Sequence, residues 1–439
     1  MPPSFAVPQT GNGLSLSPSL SYPCGKLSVE TAWQDGTRIG QHGLEGQGVD
    51  TADVVIAGGG VMGASAAYWL TRAHPGLRVL VVERDPSYAR AATALSVASI
   101  RQQFSTGVNV AISAFGIRFI RAFQASLGHD VGMPSLGLCE NGYLFLGHAP
   151  DAPVVMAELA TLQRCHGAAT EVWTPAQIAA RFSWLNVADV TAGSFGPRDE
   201  GWFDNMGLLA GFRTAARRQG AVFATDEVVG VAVQSDRVNG VTLARTGAVA
   251  CGALINAAGT RAAGIARMAG LVLPVEPRKR TVFVIDAPNA RHPDAPLLVD
   301  TGFYLRPERN HWITATVPQH DCACDANDFD PDLHLFDEVI WEQLYARAPG
   351  FDAVKVVRHW VGHYDYNTLD QNALLGPYLG LPNFYAMNGF SGHGLQQAPA
   401  VGRGISEHVL TGGWQSIDLS DLSVDRAGRD KPFPERAIV

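Results

Sequence analysis

The stretch "DVVIAGGGVMGASAAYWL", residues 53–70, leaves a chain few folds to choose from. An apolar run of strand length ends in Gly58-x-Gly60-x-x-Gly63, and small and apolar residues at helical spacing follow directly. "LRVLVVERD", residues 77–85, reads as a second buried strand ending at Glu83, twenty residues beyond Gly63. Strand, glycine turn, helix and strand in that order make a βαβ unit with two parallel strands and a helix across one face. Each residue type has a task there. Glycine closes the tight turn and lets backbone approach a pyrophosphate. The helix start offers N–H groups and the positive end of its dipole, and the acid accepts from a ribose hydroxyl. A carboxylate at Glu83 repels a 2′-phosphate, so the pattern leaves FAD or NAD as the dinucleotide.

The rest of the chain bounds what is built around that unit. At 439 residues, 46% hydrophobic and 17% charged, it has the apolar content for two interleaved domains. A net charge of −8 argues against nucleic acid as a partner. No apolar run reaches the ~18 residues that a membrane-spanning helix needs. Six cysteines are scattered, and the close pair Cys322 and Cys324 lacks a second pair at zinc-ligand spacing, so no metal site is expected. Residues 1–51 carry no secretory or mitochondrial targeting pattern, which together with the cysteines points to a cytoplasmic protein. Rich in Pro, Gly, Ser and Gln, those residues are expected to form a poorly ordered extension.

Further along, "TPAQIAARF" and "DNMGLLAGFRTAARRQG" read as helices capped by Thr174 and Asp204, with Pro175 in the first turn of one and Gly220 stopping the other. Residues 221–259 alternate in strand fashion, broken by Ser235-Asp236 and Asn239-Gly240, a β-meander whose last buried strand ends in Ala258-Gly259. That small-residue end suits close approach of backbone to a cofactor. "GYLFLG", "RTVFVID" and "HWITATV" are strand-like runs without the βαβ rhythm. The expected class is α/β, α+β overall: a Rossmann-like nucleotide-binding domain interleaved with a mostly antiparallel substrate domain. The first takes residues 52–130, 201–272 and 361–415, the second 131–200 and 273–360, and 416–439 form a C-terminal tail.

A second glycine-rich turn opens another helix at "NGFSGHGLQQAPAVGRGISEHVL", residues 388–410. With the Gly58–Gly63 turn, Glu83 and "LINAAG", it makes an ordered set that resembles the D-amino-acid-oxidase/glycine-oxidase/sarcosine-oxidase (DAO) family of FAD-dependent oxidoreductases, over roughly residues 52–412. "SVASIRQQFS", "EGWFDNMGLL", "PVEPRKRTVFV" and "YDYNTLDQNALLGP" are similar to one branch of it. That branch holds a mitochondrial FAD-dependent oxidoreductase-domain protein linked to complex I assembly. The resemblance gives the second turn a purpose: its N–H groups and helix start face the flavin's pyrimidine edge, where negative charge gathers during reduction. FAD rather than NAD follows. The implied cofactor contacts are Gly58, Gly60, Val61, Met62, Gly63, Glu83, Arg84, Ser99, Ile100, Val228, Ala258, Gly259, Gly389, Gly392, His393, Gly394, Leu395 and Gln396.

On the substrate side the resemblance assigns Arg101 to a substrate carboxylate, which its planar fork matches bidentately. Tyr304 and Tyr364 line the substrate, Lys279 is an electrostatic partner for substrate or flavin, and His393 is an acid–base candidate. Three departures matter. A lysine that helps hold the carboxylate in sarcosine oxidase falls at Gln396. The tethering cysteine of that branch falls near Gly362–His363, with no cysteine beyond Cys324, so FAD is expected to be non-covalent. The oxygen-activating lysine falls at about Trp312, which points to a dehydrogenase. The implied reaction is oxidation of the C–N bond of a small carboxylate-bearing amine, an amino acid or N-alkyl amino acid. Hydride passes to flavin N5, the imine hydrolyses, and oxygen, a quinone or an electron-transfer protein takes the electrons. Two alternatives are a 2-hydroxy-acid dehydrogenase with His393 as base, and a non-catalytic flavin-containing assembly factor.

Overall fold

The computed structural model describes residues 50–128 and 131–437. All but the last two residues of the expected extension, 1–51, lie outside them. The strand Thr51–Ala57 is apolar and buried from Val54 onward, and it sits centrally, paired in parallel with Val79–Glu83 on one side and Gly247–Asn256 on the other. Leu381–Asn388, Leu374–Tyr378 and Val222–Thr225 extend this sheet, and the hairpin Val228–Gln234/Arg237–Leu243 branches from Gly247–Asn256. The helices Val61–Ala73, Asn205–Arg218 and Gly394–Thr411 cover one face. There Tyr68, Leu70, Phe212 and Ile405 are completely buried, each worth about 1.5–3 kcal/mol of transfer free energy. Among the described residues, no helix is long and apolar enough to cross a membrane.

Local signals placed several elements correctly. Thr174 and Gln177 form a reciprocal capping box at the helix Pro175–Arg181, and the Asp204 side chain accepts from the Gly207 N–H at 2.8 Å. One signal misled. Ser235 and Asp236, at φ 48° and 58°, do make the hairpin turn, but Asn239-Gly240 lies inside the strand Arg237–Leu243 at a register shift. The glycine is needed there because a Cβ would come within 2.7 Å of the Val249 carbonyl oxygen.

The second sheet orders Lys355–Asn367, Val275–Asp286, His311–Ala315, Phe303–Glu308, Leu297–Asp300, Tyr143–Gly147, Ala192–Gly196 and Glu171–Trp173. All neighbours run antiparallel except Leu297–Asp300 beside Tyr143–Gly147. Its strands come from 143–196 and 275–367, and the last of them crosses the expected boundary at 360. One face packs Phe283, Ile285, Trp312 and Phe351 together; the other presents Tyr143, Val282, Leu297, Tyr304 and Ile313. A short ladder of Ser99–Ile100 with Gly201–Trp202 stands apart from both sheets. The segment expected as a tail is packed in: Leu419, Leu422 and Val424 are buried, and Arg426 pairs with Asp370 at 3.0 Å.

Candidate active site

The first glycine turn is closed so tightly that side chains are excluded. Gly58 has φ +100°, and a Cβ on it would lie 2.4 Å from the Ala257 oxygen; one on Gly63 would lie 1.9 Å from the Gly58 oxygen. Glu83 ties the turn together, its Oε2 accepting from the Gly59 N–H at 2.8 Å and its Oε1 from the Asp85 N–H at 2.9 Å. Each carboxylate oxygen has two lone pairs, so Glu83 can still accept from a ligand. Thr93, which the motif did not point to, accepts the Val61 N–H at 3.1 Å.

The second turn is shaped by Asp365, whose Oδ2 accepts from the Gly389 N–H at 2.9 Å and the Phe390 N–H at 3.3 Å. Burial pushes this carboxyl up to about 6, against the pull of those two amides. A Cβ on Gly392, at φ +100°, would lie 2.6 Å from the Tyr364 ring, so the turn passes directly over that tyrosine. His393 then stands at the N-cap of the helix Gly394–Thr411, buried, with its Nε2 lacking a hydrogen-bond partner. Burial, and then the nearby Arg101 charge, lower it from 6.5 to about 3, while Glu435 pulls the other way. The imidazole is neutral at physiological pH.

A base depressed in the fold binds fewer protons there than in the unfolded chain, so stability is fully present above about 6.5 and is lost as pH falls toward 3. His393→Asn is therefore expected to lose less stability than the parent between pH 7 and 5, by on the order of 1–2 kcal/mol. Urea titrations at the two pH values measure this; equal losses would contradict a buried neutral His393.

A single cleft joins both turns. It is lined by Gly58, Gly60, Val61, Met62, Glu83, Arg84, Ser99, Val228, Ala258 and Gly259, and at its other end by Gly392, His393, Gly394, Leu395 and Gln396. Arg101, Tyr304 and Tyr364 face it too, with Tyr143 beside them. Burial raises the phenols of Tyr143, Tyr304 and Tyr364 above their ordinary value, so they stand neutral. Arg101 is 3% exposed. Its main-chain N–H donates to Gln396 Oε1 at 2.8 Å, and its guanidinium donates to the carbonyls of Gln103 and Ala437 and lies 4.1 Å from the Phe104 ring centroid. Gln396 thus holds Arg101 by its backbone and offers no second cation.

Four expected site residues do not line the cleft. Gly63 packs against Gly58, and Ile100 is buried in the core. Gly389 acts from behind, through the amide held by Asp365. Lys279 is turned to the opposite face of its strand, where Nζ meets Asp328 at 3.1 Å and Asp332 at 3.0 Å. Side chains alternate along a strand, so its neighbour Arg280 faces the cleft, gripped by Asp321 at 2.6 and 2.8 Å and lying 4.8 Å from the Tyr364 ring centroid. Counting back two from Val282 would have found it. The same one-residue slip affects Trp312: its indole donates to the Ala290 carbonyl at 2.9 Å on the far face, while Ile313 shares the face of Tyr304. Gly362 and His363 line the cleft, and none of the described cysteines does.

Two helix starts aimed into one cleft, a side-chain-free cradle at one end and an unpartnered buried imidazole nitrogen at the other, suit a dinucleotide with a second polar head. FAD fits, and the fold and site are those of a flavin-dependent oxidoreductase. The chain belongs to the FAD dependent oxidoreductase (DAO) family, whose pattern it matches over residues 53–408. It is similar to FAD-dependent oxidoreductase domain-containing protein 1 of Xenopus laevis, at 38% identity over 426 residues covering 89% of this chain and 85% of that protein. Mitochondrial dimethylglycine dehydrogenase of Rattus norvegicus is 26% identical, over 87% of this chain and 45% of its own. The solved L-proline dehydrogenase from P. horikoshii superposes with a TM-score of 0.77 over 88% of this chain and 100% of its own, at 24% identity, a likeness of fold alone.

Proposed function

We propose that this FAD-dependent oxidoreductase oxidises the C–N bond of a small amine that carries a carboxylate. The observation that carries the proposal is the buried guanidinium of Arg101, which shares the cleft with the second glycine turn and with Tyr143, Tyr304 and Tyr364. A guanidinium so desolvated binds a carboxylate by charge-assisted hydrogen bonds and fixes its position. FAD supplies the two-electron acceptor. The tyrosines wall off water, and the N–H groups of the Gly392–Gly394 turn stabilise negative charge that develops beside them. A free amine needs no base to lose a hydride from its α- or N-alkyl carbon. A 2-hydroxy acid does need one, and His393, depressed to about 3, is a weak base. Turnover of a panel of amino, N-methylamino and 2-hydroxy acids with a dye acceptor tests this. The amines are expected to yield a carbonyl product with an equal amount of released amine or ammonia, and carbonyl product from the hydroxy acids alone would overturn it.

The same geometry supports slow reaction of the reduced enzyme with air. Superoxide formation is helped by a free positive charge beside the reacting ring. Arg280, on the cleft face of the second sheet, is bound bidentately by Asp321, and the neighbouring strand presents Ile313 there. Air should reoxidise the reduced enzyme on the order of ten-fold or more below dye-coupled turnover. Hydrogen peroxide accumulating one-for-one with product in air, at the full turnover rate, would show an oxidase instead.

A further inference from the structure

The segment Phe433–Ala437 lies against the stretch that begins with Arg101, and it carries a buried carboxylate. Glu435 is 1% exposed. Its Oε1 accepts from the Ser105 N–H at 2.7 Å, the Ser105 hydroxyl at 2.6 Å and the Ala437 N–H at 3.0 Å. Its Oε2 accepts from the Thr106 hydroxyl at 3.1 Å and Asn109 Nδ2 at 2.9 Å. The Ser105 hydroxyl in turn accepts the Arg436 N–H at 2.8 Å. Burial alone would raise this carboxyl, but the donors, Ser105 and Asn109 foremost, outweigh it and hold Glu435 below the usual glutamate value, so it is ionised.

This cluster is not ordinary helix capping. Thr106 stands at the N-cap of the helix Gly107–Arg121 and makes no side-chain cap bond to it; its hydroxyl goes to Glu435. The other side of the same stretch is gripped by a second buried acid, Glu200, which accepts from the Gln102 N–H at 2.6 Å and Gln103 Nε2 at 2.8 Å. Arg101 bridges the two segments these acids hold, one end of its guanidinium on the Gln103 carbonyl and the other on the Ala437 carbonyl. Ala437 is placed there by its own N–H bond to Glu435.

We propose that Glu435 is a positioning residue for Arg101: it locks residues 105–109 to Phe433–Ala437 and so holds the guanidinium, through the Ala437 carbonyl, in the orientation that receives a substrate carboxylate. This rests on the reading of Arg101 given above. A site built this way loses little entropy on binding because its cation is already aimed.

The test uses the FAD-loaded protein, with acetate as probe, titrated through its effect on the flavin spectrum. Glu435→Gln keeps the shape, removes the charge and replaces one acceptor by a donor. It is expected to bind acetate about ten-fold more weakly or worse, with FAD per polypeptide unchanged. Ser105→Ala, a milder cut in the same clamp, is expected to shift affinity the same way by less, and it carries the test should Glu435→Gln fail to fold. A lowered Tm with acetate affinity unaltered would make Glu435 a scaffold residue and overturn the proposal. So would tighter acetate binding, which would make the Ala437 carbonyl a competitor. A parent protein blind to acetate would overturn the carboxylate reading and this proposal together, whereas a responsive parent with unaltered variants overturns this proposal alone.

Discussion

Arg101→Ala is expected to weaken binding of a carboxylate substrate by about 10- to 150-fold while leaving FAD in place, since a hydrogen bond to a charged group is worth ~1.5–3 kcal/mol. The separation of the two effects is structural. Arg101 shares the cleft with Tyr143, Tyr304 and Tyr364 and is held by Gln396, Gln103 and Ala437, while the first glycine turn is built from Gly58, Gly63 and Glu83. Removing the side chain also leaves two carbonyls without a donor, so a modest loss of stability accompanies the loss of affinity. The readout is substrate-concentration dependence of flavin reduction, with flavin content measured on the same sample. A variant reduced at parental substrate concentrations would remove Arg101 from the site.

Gly63→Ala should act at the opposite end and take the cofactor with it. The added Cβ would meet the Gly58 oxygen at 1.9 Å and Ile56 Cγ2 at 3.1 Å. The first contact is backbone, so the turn must open or the helix Val61–Ala73 must move off the sheet. Overpacking of this kind costs about 1–3 kcal/mol or more, and the displaced helix start can no longer present its N–H groups to a pyrophosphate. The protein is expected to purify colourless, or not to fold. Gly76→Ala is the control, because Gly76 has φ +91° but no atom within 4 Å of an added Cβ; it should cost stability through strain and keep its FAD. A yellow, fully loaded Gly63→Ala protein would mean that the first turn does not work as described.

The parts of the fold and the site legible in the sequence are those written in adjacent residues. The Gly58–Gly63 turn, Glu83, and the caps at Thr174 and Asp204 are local, because a tight turn and a helix end each choose their residues over a span of a few positions. What was missed depends on register or on distance along the chain. Lys279 and Trp312 turn away from the cleft, while Arg280 lines it and Ile313 shares the face of Tyr304, because one step along a strand moves the side chain to the other face. Asp365 lies inside "YDYNTLDQNALLGP", yet its task shows only once the strand Lys355–Asn367 lies beneath the turn at Gly389. Glu435 is 330 residues from Ser105, and no spacing rule connects them. Asn239-Gly240 failed as a turn for the converse reason: a strong local signal was overridden by the neighbouring strand, whose carbonyl leaves no room for a side chain.

In the reaction proposed above, a small carboxylate-bearing amine gives up two electrons in this cleft. This is tested most directly by mixing the FAD-loaded protein without oxygen against single amino acids, N-methylamino acids and 2-hydroxy acids, and following the yellow absorbance. Bleaching is expected with at least one of the amines, at a rate that saturates with concentration, and with none of the hydroxy acids. Bleaching by hydroxy acids alone, or by no member of the panel, would contradict it.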